Sequence, residues 1–346
     1  MMFRLCLVIL AIIMSNDTIA QQMNLEHWMR DLPVQLKDVP LIYLAIPGSH
    51  DSMTYSITRA SDLAPDAEPA VKRLYPLFRG TILRWTITQS LDTLQQLLIG
   101  IRYFDLRLAT KTNSEQFFFT HGVYADEISK ALNQVKEYVY SHPEEVVILD
   151  FQHFYGFTPQ DHQRLMRYLL QLYGHSLVPR TFDLLTVTLN SLNRQRQQII
   201  VVYRHEAVYA TSEFWQPQML PSPWPQQDRT EGLIDFFYKV KRNPGTGFVH
   251  QAVLTPTPTF IVLRWLSNLR DKCAKPVLKD VLPILSEFSP GPPQRPATVH
   301  DSVPRSPVNV VIADFVELDD ALFPRAIIQL NLKLLRNTDL VYHNYG

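Results

Sequence analysis

Short apolar runs rich in β-branched and aromatic residues alternate along this chain with longer amphipathic stretches. The runs Leu41–Ile46, Ile101–Leu108, Gln116–Thr120, Val146–Phe151, Ile199–Tyr203, Phe248–Leu254 and Val308–Asp314 are expected as strands. The stretches Asp126–Ser141, Pro159–Tyr173, Thr230–Lys241, Thr259–Asp271, Val277–Phe288 and Asp319–Leu335 are expected as helices. In the first of these, Ile128, Leu132, Val135 and Val139 recur three or four positions apart, the spacing of one helix face. The stop is expected at His142-Pro143, because a residue before proline avoids the helical region.

Strands alternating with helices predict a parallel sheet, either open or closed. No GxGxxG or Walker loop marks a nucleotide-binding open sheet. A chain of 346 residues with this many strands suits a single TIM-like (β/α) barrel, regular or distorted. Two stretches interrupt the alternation: Met53 to Ser90, and the Pro/Ser/Arg-rich Ser289 to Pro307.

Composition narrows the function. Hydrophobic residues make up 46% and charged residues 19%, which marks a globular chain. Lys+Arg and Asp+Glu balance at 33 each, which argues against nucleic acid as a partner but leaves room for a local phosphate pocket. Residues 1–20 carry the pattern of a secretory signal: Arg4, an apolar run from Leu5 to Met14 too short to span a bilayer, then Thr18-Ile19-Ala20. The expectation is therefore a secreted mature chain, 21–346, forming one catalytic barrel, and acting as a monomer. The alternative is a cytoplasmic protein with an apolar N-terminal helix. Only Cys6 and Cys273 are present, so the mature chain holds one thiol, no internal disulfide and no cysteine-rich metal site.

In a parallel barrel, function gathers at the C-terminal ends of the strands. There the sequence places Pro47-Gly48-Ser49-His50-Asp51, then Asp105 and Arg107 on one strand face, then His121-Gly122. Asp150, Gln152 and His153 follow the fourth run, Arg204-His205-Glu206 the fifth, and Asp314 ends the last. Two histidines and an arginine suit phosphoryl transfer without a metal. One imidazole takes a proton from an attacking hydroxyl and the other gives one to the leaving oxygen. Arg107 would fork onto phosphate oxygens, and Asp314 would orient one imidazole. Each residue also has a plainer reading: His50 as a turn residue, Asp105 and Arg107 as a structural ion pair, Asp314 as a helix cap, His153 and His205 as peripheral.

At these residues the chain resembles the phosphatidylinositol-specific phospholipase C X-domain family. The resemblance rests on Ile46-Pro47-Gly48-Ser49-His50-Asp51, Gly100-Ile101-Arg102-Tyr103-Phe104-Asp105-Leu106-Arg107 and Thr120-His121-Gly122. It is supported by His142-Pro143-Glu144-Glu145-Val146-Val147-Ile148-Leu149 and by Asn309-Val310-Val311-Ile312-Ala313-Asp314-Phe315, and covers roughly residues 40 to 340. It is nearest to the small animal members that carry the X domain alone. The resemblance implies a phosphoric diester hydrolase acting on inositol phospholipids, with possible partners limited to that substrate and a membrane surface touched peripherally. His50 would be the general base on the inositol 2-hydroxyl, His121 the general acid on the diacylglycerol oxygen, and Asp314 the partner of His50. Asp51 and Arg107 would support the phosphate and the acid, and Asp105 matches a carboxylate present throughout the family. Arg107 follows the bacterial members, in which a guanidinium does the work of calcium, so no cofactor and no metal are expected. Gln152 departs from both the glutamate of the calcium enzymes and the lysine of the bacterial ones, which bears on the inositol pocket. Arg204 falls near a basic substrate contact. The alternatives are a phosphodiesterase for another head group and a catalytically silent barrel that binds lipid or a partner. The 53–90 insert, with Leu74, Leu77 and Phe78 among Lys72, Arg73 and Arg79, is expected either to touch a bilayer or to pack on the barrel, as are Trp215 and Trp224.

Overall fold

The structure is a computed structural model, and residues 24–292 and 307–336 are described. The signal-like segment 1–20, Cys6 and most of the 289–307 excursion lie outside the described residues.

The chain forms an eight-stranded sheet. Its strands are β1 (Ile46–Ser49), β2 (Tyr103–Thr110), β3 (Phe117–Thr120), β4 (Tyr124–Glu127), β5 (Val147–Tyr155), β6 (Ile199–Tyr203), β7 (Val249–Ala252) and β8 (Val310–Ala313). The parallel order is β7-β8-β1-β2-β5-β6, and β3 and β4 hang from the far end of β2 as an antiparallel hairpin. Among the described residues, β6 and β7 do not pair. The segment from Trp215 to Pro221 fills that seam. Trp215 exchanges backbone hydrogen bonds with Val201 and Tyr203, and the Met219 and Pro221 carbonyls accept from Gly247 and Val249. The result is a distorted barrel closed by an irregular segment.

Alternation along the strands builds two cores. Ile46, Tyr103, Ile148, Ile200, Val202, Val249, Val310 and Ile312 meet inside the barrel. Phe104, Leu106, Leu149, Phe151, Val201 and Val311 face outward onto the helices. Gly48 belongs to the inner row, and there a Cβ would stand 2.7 Å from the Tyr103 ring, so only glycine lets β1 and β2 pack this closely.

Helices α1 (Pro69–Thr86), α2 (Thr93–Leu98), α3 (Ile128–Ser141), α4 (Pro159–Tyr173), α5 (Leu189–Gln195) and α6 (Thr230–Lys239) cover the outer face or flank it. The α3 stripe of Ile128, Leu132, Val135 and Val139 is buried as its spacing predicts. Its cap, Glu127, accepts from the Ser129 amide, so the helix starts two residues later than expected and 124–127 becomes β4.

Other boundaries differ for local reasons. The run Leu41–Ile46 is a 3₁₀ turn at Leu41–Tyr43 packed beneath the barrel, with the strand starting only at Ile46, because an apolar run alone does not distinguish a buried strand from a buried turn. Over 259–288 the expected long helices are broken into α7 (Pro258–Val262), π-type turns at Arg270–Ala274 and Val277–Val281, and α8 (Leu282–Leu285). Pro276 and Pro283 remove ladder donors there. The last helix, α9 (Leu318–Gln329), continues as a 3₁₀ segment to Arg336.

Candidate active site

The inner row of each strand turns polar at its C-terminal end. Continuing in steps of two, Ile46 and Gly48 lead to His50, Tyr103 leads to Asp105 and Arg107, and Ile148 leads to Asp150 and Gln152. Val202 leads to Arg204, and Ile312 leads to Asp314. The pleat that fills the barrel with apolar side chains therefore also delivers these groups to one rim. A bulge interrupts the rule at β5, where Arg107 lies opposite His153 and not Gln152. His153 thereby enters the field of Asp105, Arg107 and Asp51, although its parity in the sequence pointed it outward; burial lowers its pKa.

Asp51 is the hub. It follows β1 in the left-handed region at φ 40°, a conformation that a non-glycine residue adopts at some cost. One carboxylate oxygen lies 3.3 Å from His50 Nε2 and 3.2 Å from His121 Nε2. The other lies 2.5 Å from Arg107 Nε, in contact but off the hydrogen-bond line. Burial pushes the Asp51 carboxyl up, but Arg107, His121 and His50 outweigh it and hold its pKa at about 2.

Both imidazoles are oriented through Nδ1. His50 Nδ1 lies 2.8 Å from Asp314 Oδ1, and His121 Nδ1 lies 2.7 Å from the Thr86 carbonyl. Each therefore donates from Nδ1 and turns Nε2 toward the cleft. The rings sit 6.4 Å apart, centre to centre. Burial disfavours the charged His50 ring, but Asp51 and Asp314 outweigh it and raise its pKa to about 9. Burial raises the Asp314 pKa in turn, against the pull of His50.

Arg107 Nη2 reaches His50 Nε2 at 3.2 Å and Asp105 at 3.6 Å. Burial lowers the guanidinium pKa, but Asp51 and Asp105 more than compensate, so it stays charged. His50, Asp51 and Asp105 present ligand atoms close enough to share an ion, and the Arg107 guanidinium sits among them. The guanidinium thus contacts all three of these groups.

Deeper in the barrel, Arg204 grips Asp150 through Nε at 2.8 Å and Nη2 at 2.7 Å. Tyr103 donates to the same carboxylate, and Gln152 donates to Tyr103 and Asp150. Arg204 and Gln152 are thus brought to the site, but both face a carboxylate that already uses them.

Several site residues had no clear sequence signal. Gln89, wholly buried, donates to the His50 and Ala313 carbonyls and so ties β1 to β8. Thr88 donates to the His50 and Asp51 carbonyls. Both follow α1, inside the stretch that seemed an interruption; Thr86, Thr88 and Gln89 just after an amphipathic helix were the available hint. A second histidine group, Glu26, His27 and His142, lies at the opposite end, before β5, where an ion pair of 2.8 Å between His142 and Glu26 accounts for it.

The α1 helix buries Tyr75, Leu83 and Trp85 but exposes Leu74, Leu77 and Phe78. Arg84 links it to the Trp265 and Ser267 carbonyls, next to exposed Val262, Leu263, Trp265 and Leu266. Trp215 is buried in the seam, whereas Trp224 is half exposed.

The model of the phosphatidylinositol-specific phospholipase C X domain matches residues 84–205. PI-PLC X domain-containing protein 3 of Homo sapiens is 33% identical over 328 residues, covering 92% of this chain and 97% of that protein. PI-PLC X domain-containing protein 2 of Mus musculus is 32% identical over 325 residues, covering 92% and 91%. Among solved structures, a phosphatidylinositol-specific phospholipase C from Staphylococcus aureus superposes with a TM-score of 0.59 at 17% identity, covering 89% of this chain and 98% of that one. The enzyme from Listeria monocytogenes gives 0.55 at 18% identity, covering 89% and 98%. At those identities the likeness is one of fold, and it identifies the distorted barrel as a TIM-type one. The chain belongs to the family of PI-PLC X domain-containing proteins.

Proposed function

We propose that this protein is a phospholipase C-type phosphodiesterase that cleaves inositol phospholipids by metal-independent acid–base catalysis. The observation that carries the reading is the convergence of two Nδ1-anchored imidazoles on one Asp51 oxygen beside a buried guanidinium. His50 Nε2 takes the proton of the inositol 2-hydroxyl as that oxygen attacks phosphorus. The bond from phosphorus to the diacylglycerol oxygen breaks, and His121 Nε2 supplies its proton. The products are diacylglycerol and an inositol cyclic phosphate. Arg107 offsets the charge that develops on the phosphoryl oxygens, and Asp314 stabilises the His50 imidazolium.

The raised His50 pKa fits a base that holds its proton firmly once taken, and it requires that the free enzyme lose a proton before turnover. The exposed apolar side chains of α1 and of 262–266, with Lys72, Arg73 and Arg264 nearby in sequence, support seating of this rim on an anionic bilayer. The 1–20 pattern supports entry into the secretory pathway.

One observation favours a second reading. Arg204 is already neutralised by Asp150, and Gln152 is uncharged, so neither offers a spare cation to a highly phosphorylated ring. This favours a head group without extra phosphates, or a different polyol.

The test is hydrolysis of phosphatidylinositol in mixed micelles with excess chelator, followed by phosphorus NMR. Chelator-resistant formation of a cyclic phosphate, lost in His50→Ala and His121→Ala, supports the reading. Turnover that needs added metal overturns the role of Arg107. No turnover by a folded chain on any phosphodiester leaves the silent binding barrel.

A further inference from the structure

Unlike His50, Arg107 and Asp314, which the parallel barrel strands carry, His121 belongs to the antiparallel hairpin. It sits between β3 and β4, with its side chain 27% exposed. A proton donor at a hairpin tip needs an external frame, since a displacement of about 1 Å can cost ~100-fold in rate. The frame comes from the excursion between β1 and α1. Leu63 bridges Val123 in antiparallel fashion, Ala64 N donates to the Gly122 carbonyl, and Tyr124 N donates to the Asp62 carbonyl.

Asp66 completes it. One carboxylate oxygen accepts from Thr120 Oγ1 at 2.6 Å, and the other accepts from Gly122 N at 2.6 Å. The two donors are the residues on either side of His121. Gly122 has φ +71°, so the backbone there is held in a conformation that suits glycine, and Asp66 ties down its amide. From the other end of α1, the Thr86 carbonyl fixes the His121 tautomer, which leaves the transferable proton on Nε2 facing Asp51.

We propose that Asp66 is a positioning residue for the proton donor His121, clamping both of its chain neighbours. The proposal rests on the reading of His121 as general acid. Asp66 touches no reacting atom. It acts by keeping the ring where Nε2 meets the leaving oxygen. In Asp66→Ala both acceptors are gone, so Thr120 and Gly122 are released together, whereas the amide of Asp66→Asn could accept from Gly122 N and donate to Thr120 Oγ1.

The experiment compares two leaving groups. Phosphatidylinositol releases an alkoxide, which needs a proton. An aryl ester of inositol phosphate, such as the 4-methylumbelliferyl ester, releases a phenolate, which leaves without one. Asp66→Ala is expected to lose about 100-fold in kcat on phosphatidylinositol, with KM little changed, and under threefold on the aryl ester. His121→Ala is expected to show the same selectivity more strongly. Equal losses on both substrates for Asp66→Ala, with His121→Ala still selective, overturn the proposal and leave Asp66 a structural residue. No loss on either substrate overturns it too. If His121→Ala itself loses equally on both, the general-acid assignment fails first and the proposal with it. Thr120→Val removes one of the two clamps with little change in shape, and it decides the matter if Asp66→Ala does not fold: a loss confined to the alkyl substrate sustains the proposal, and an equal or absent loss overturns it.

Discussion

His50 Nδ1 stands 2.8 Å from Asp314 Oδ1, and both side chains are almost fully withdrawn from water. A carboxylate in that position fixes the tautomer and favours the imidazolium. Asp314→Asn keeps the shape and removes the charge. Its kcat is expected to fall by about 10²–10⁴-fold, in line with the loss of an orienting carboxylate. The His50 pKa is expected to fall as well, so the limb of the pH–rate profile that reports it should move to lower pH. A fall in kcat with an unmoved limb would assign that limb to another group.

In the wild type the same group sets a pH dependence with a definite sign. The His50 pKa of about 9 lies above its ordinary 6.5. In the proposed role of base His50 must be unprotonated, so the limb of kcat/KM set by its deprotonation is expected to rise tenfold per pH unit up to about pH 9, and activity to fall again where His121 loses the proton it donates. Stability runs the other way. The fold prefers the imidazolium, so its contribution is fully present below pH 6.5 and is lost as pH rises through about 9. Urea midpoints of wild type and His50→Gln, measured from pH 6 to 10, should converge toward the alkaline end.

Arg107 touches Asp51 with Nε and approaches Asp105 and His50 with Nη2, a spread that a lysine ammonium cannot reproduce. Arg107→Lys is expected to lose about 100-fold in kcat despite the kept charge. Arg107→Asp removes the cation and adds a carboxylate to a group whose ligand atoms already lie within 4.8 Å of one another. Oxygen-rich clusters of this kind suit calcium. That variant should be inactive with chelator and partly restored by calcium, while the wild type responds to neither.

Much of this site was legible because strand parity is a property of sequence. Asp105, Arg107, Gln152, Arg204 and Asp314 each continue the inner apolar row of their own strand, so reading past the end of each run found them. His50 was found the same way, even though the strand before it begins five residues later than its apolar run. The illegible part lies where geometry is nonlocal. The β5 bulge sets His153 opposite Arg107, and no residue type signals it. Thr86, Thr88 and Gln89 act through backbone carbonyls and buried hydrogen bonds made across the fold. The irregular seam at 215–221 depends on which strands fail to pair, which periodicity does not encode.

The opposite end of the barrel bears stability, not chemistry. Arg102 and Glu145 are fully buried and paired at 2.8 Å. Glu145 also accepts from the Arg30 amide, and Arg102 donates to the carbonyls of Leu97, Ile101 and Glu26. Removing one partner strands a buried charge. Glu145→Ala is expected to cost about 3–5 kcal/mol in urea unfolding, with kcat of the folded fraction unchanged. A comparable loss of kcat in fully folded protein would show that the two ends are coupled.

The exposed rim at Leu77, Leu263 and Leu266 allows the proposed membrane contact to be tested apart from the chemistry. These side chains are 80%, 74% and 76% exposed, and none lies among the site residues. Seating a leucine in the bilayer interface is worth about 1.5 kcal/mol, near the lower end of full burial, or roughly tenfold in partition. Each change to serine should therefore weaken cosedimentation with phosphatidylinositol-containing vesicles by about tenfold. Turnover of a water-soluble inositol phosphodiester should stay as it was, because the imidazole pair is untouched. If the triple variant binds vesicles as the wild type does, the apolar rim has another use. If it loses soluble-substrate turnover as well, α1 supports the site through Thr86 and Arg84 more than it contacts lipid.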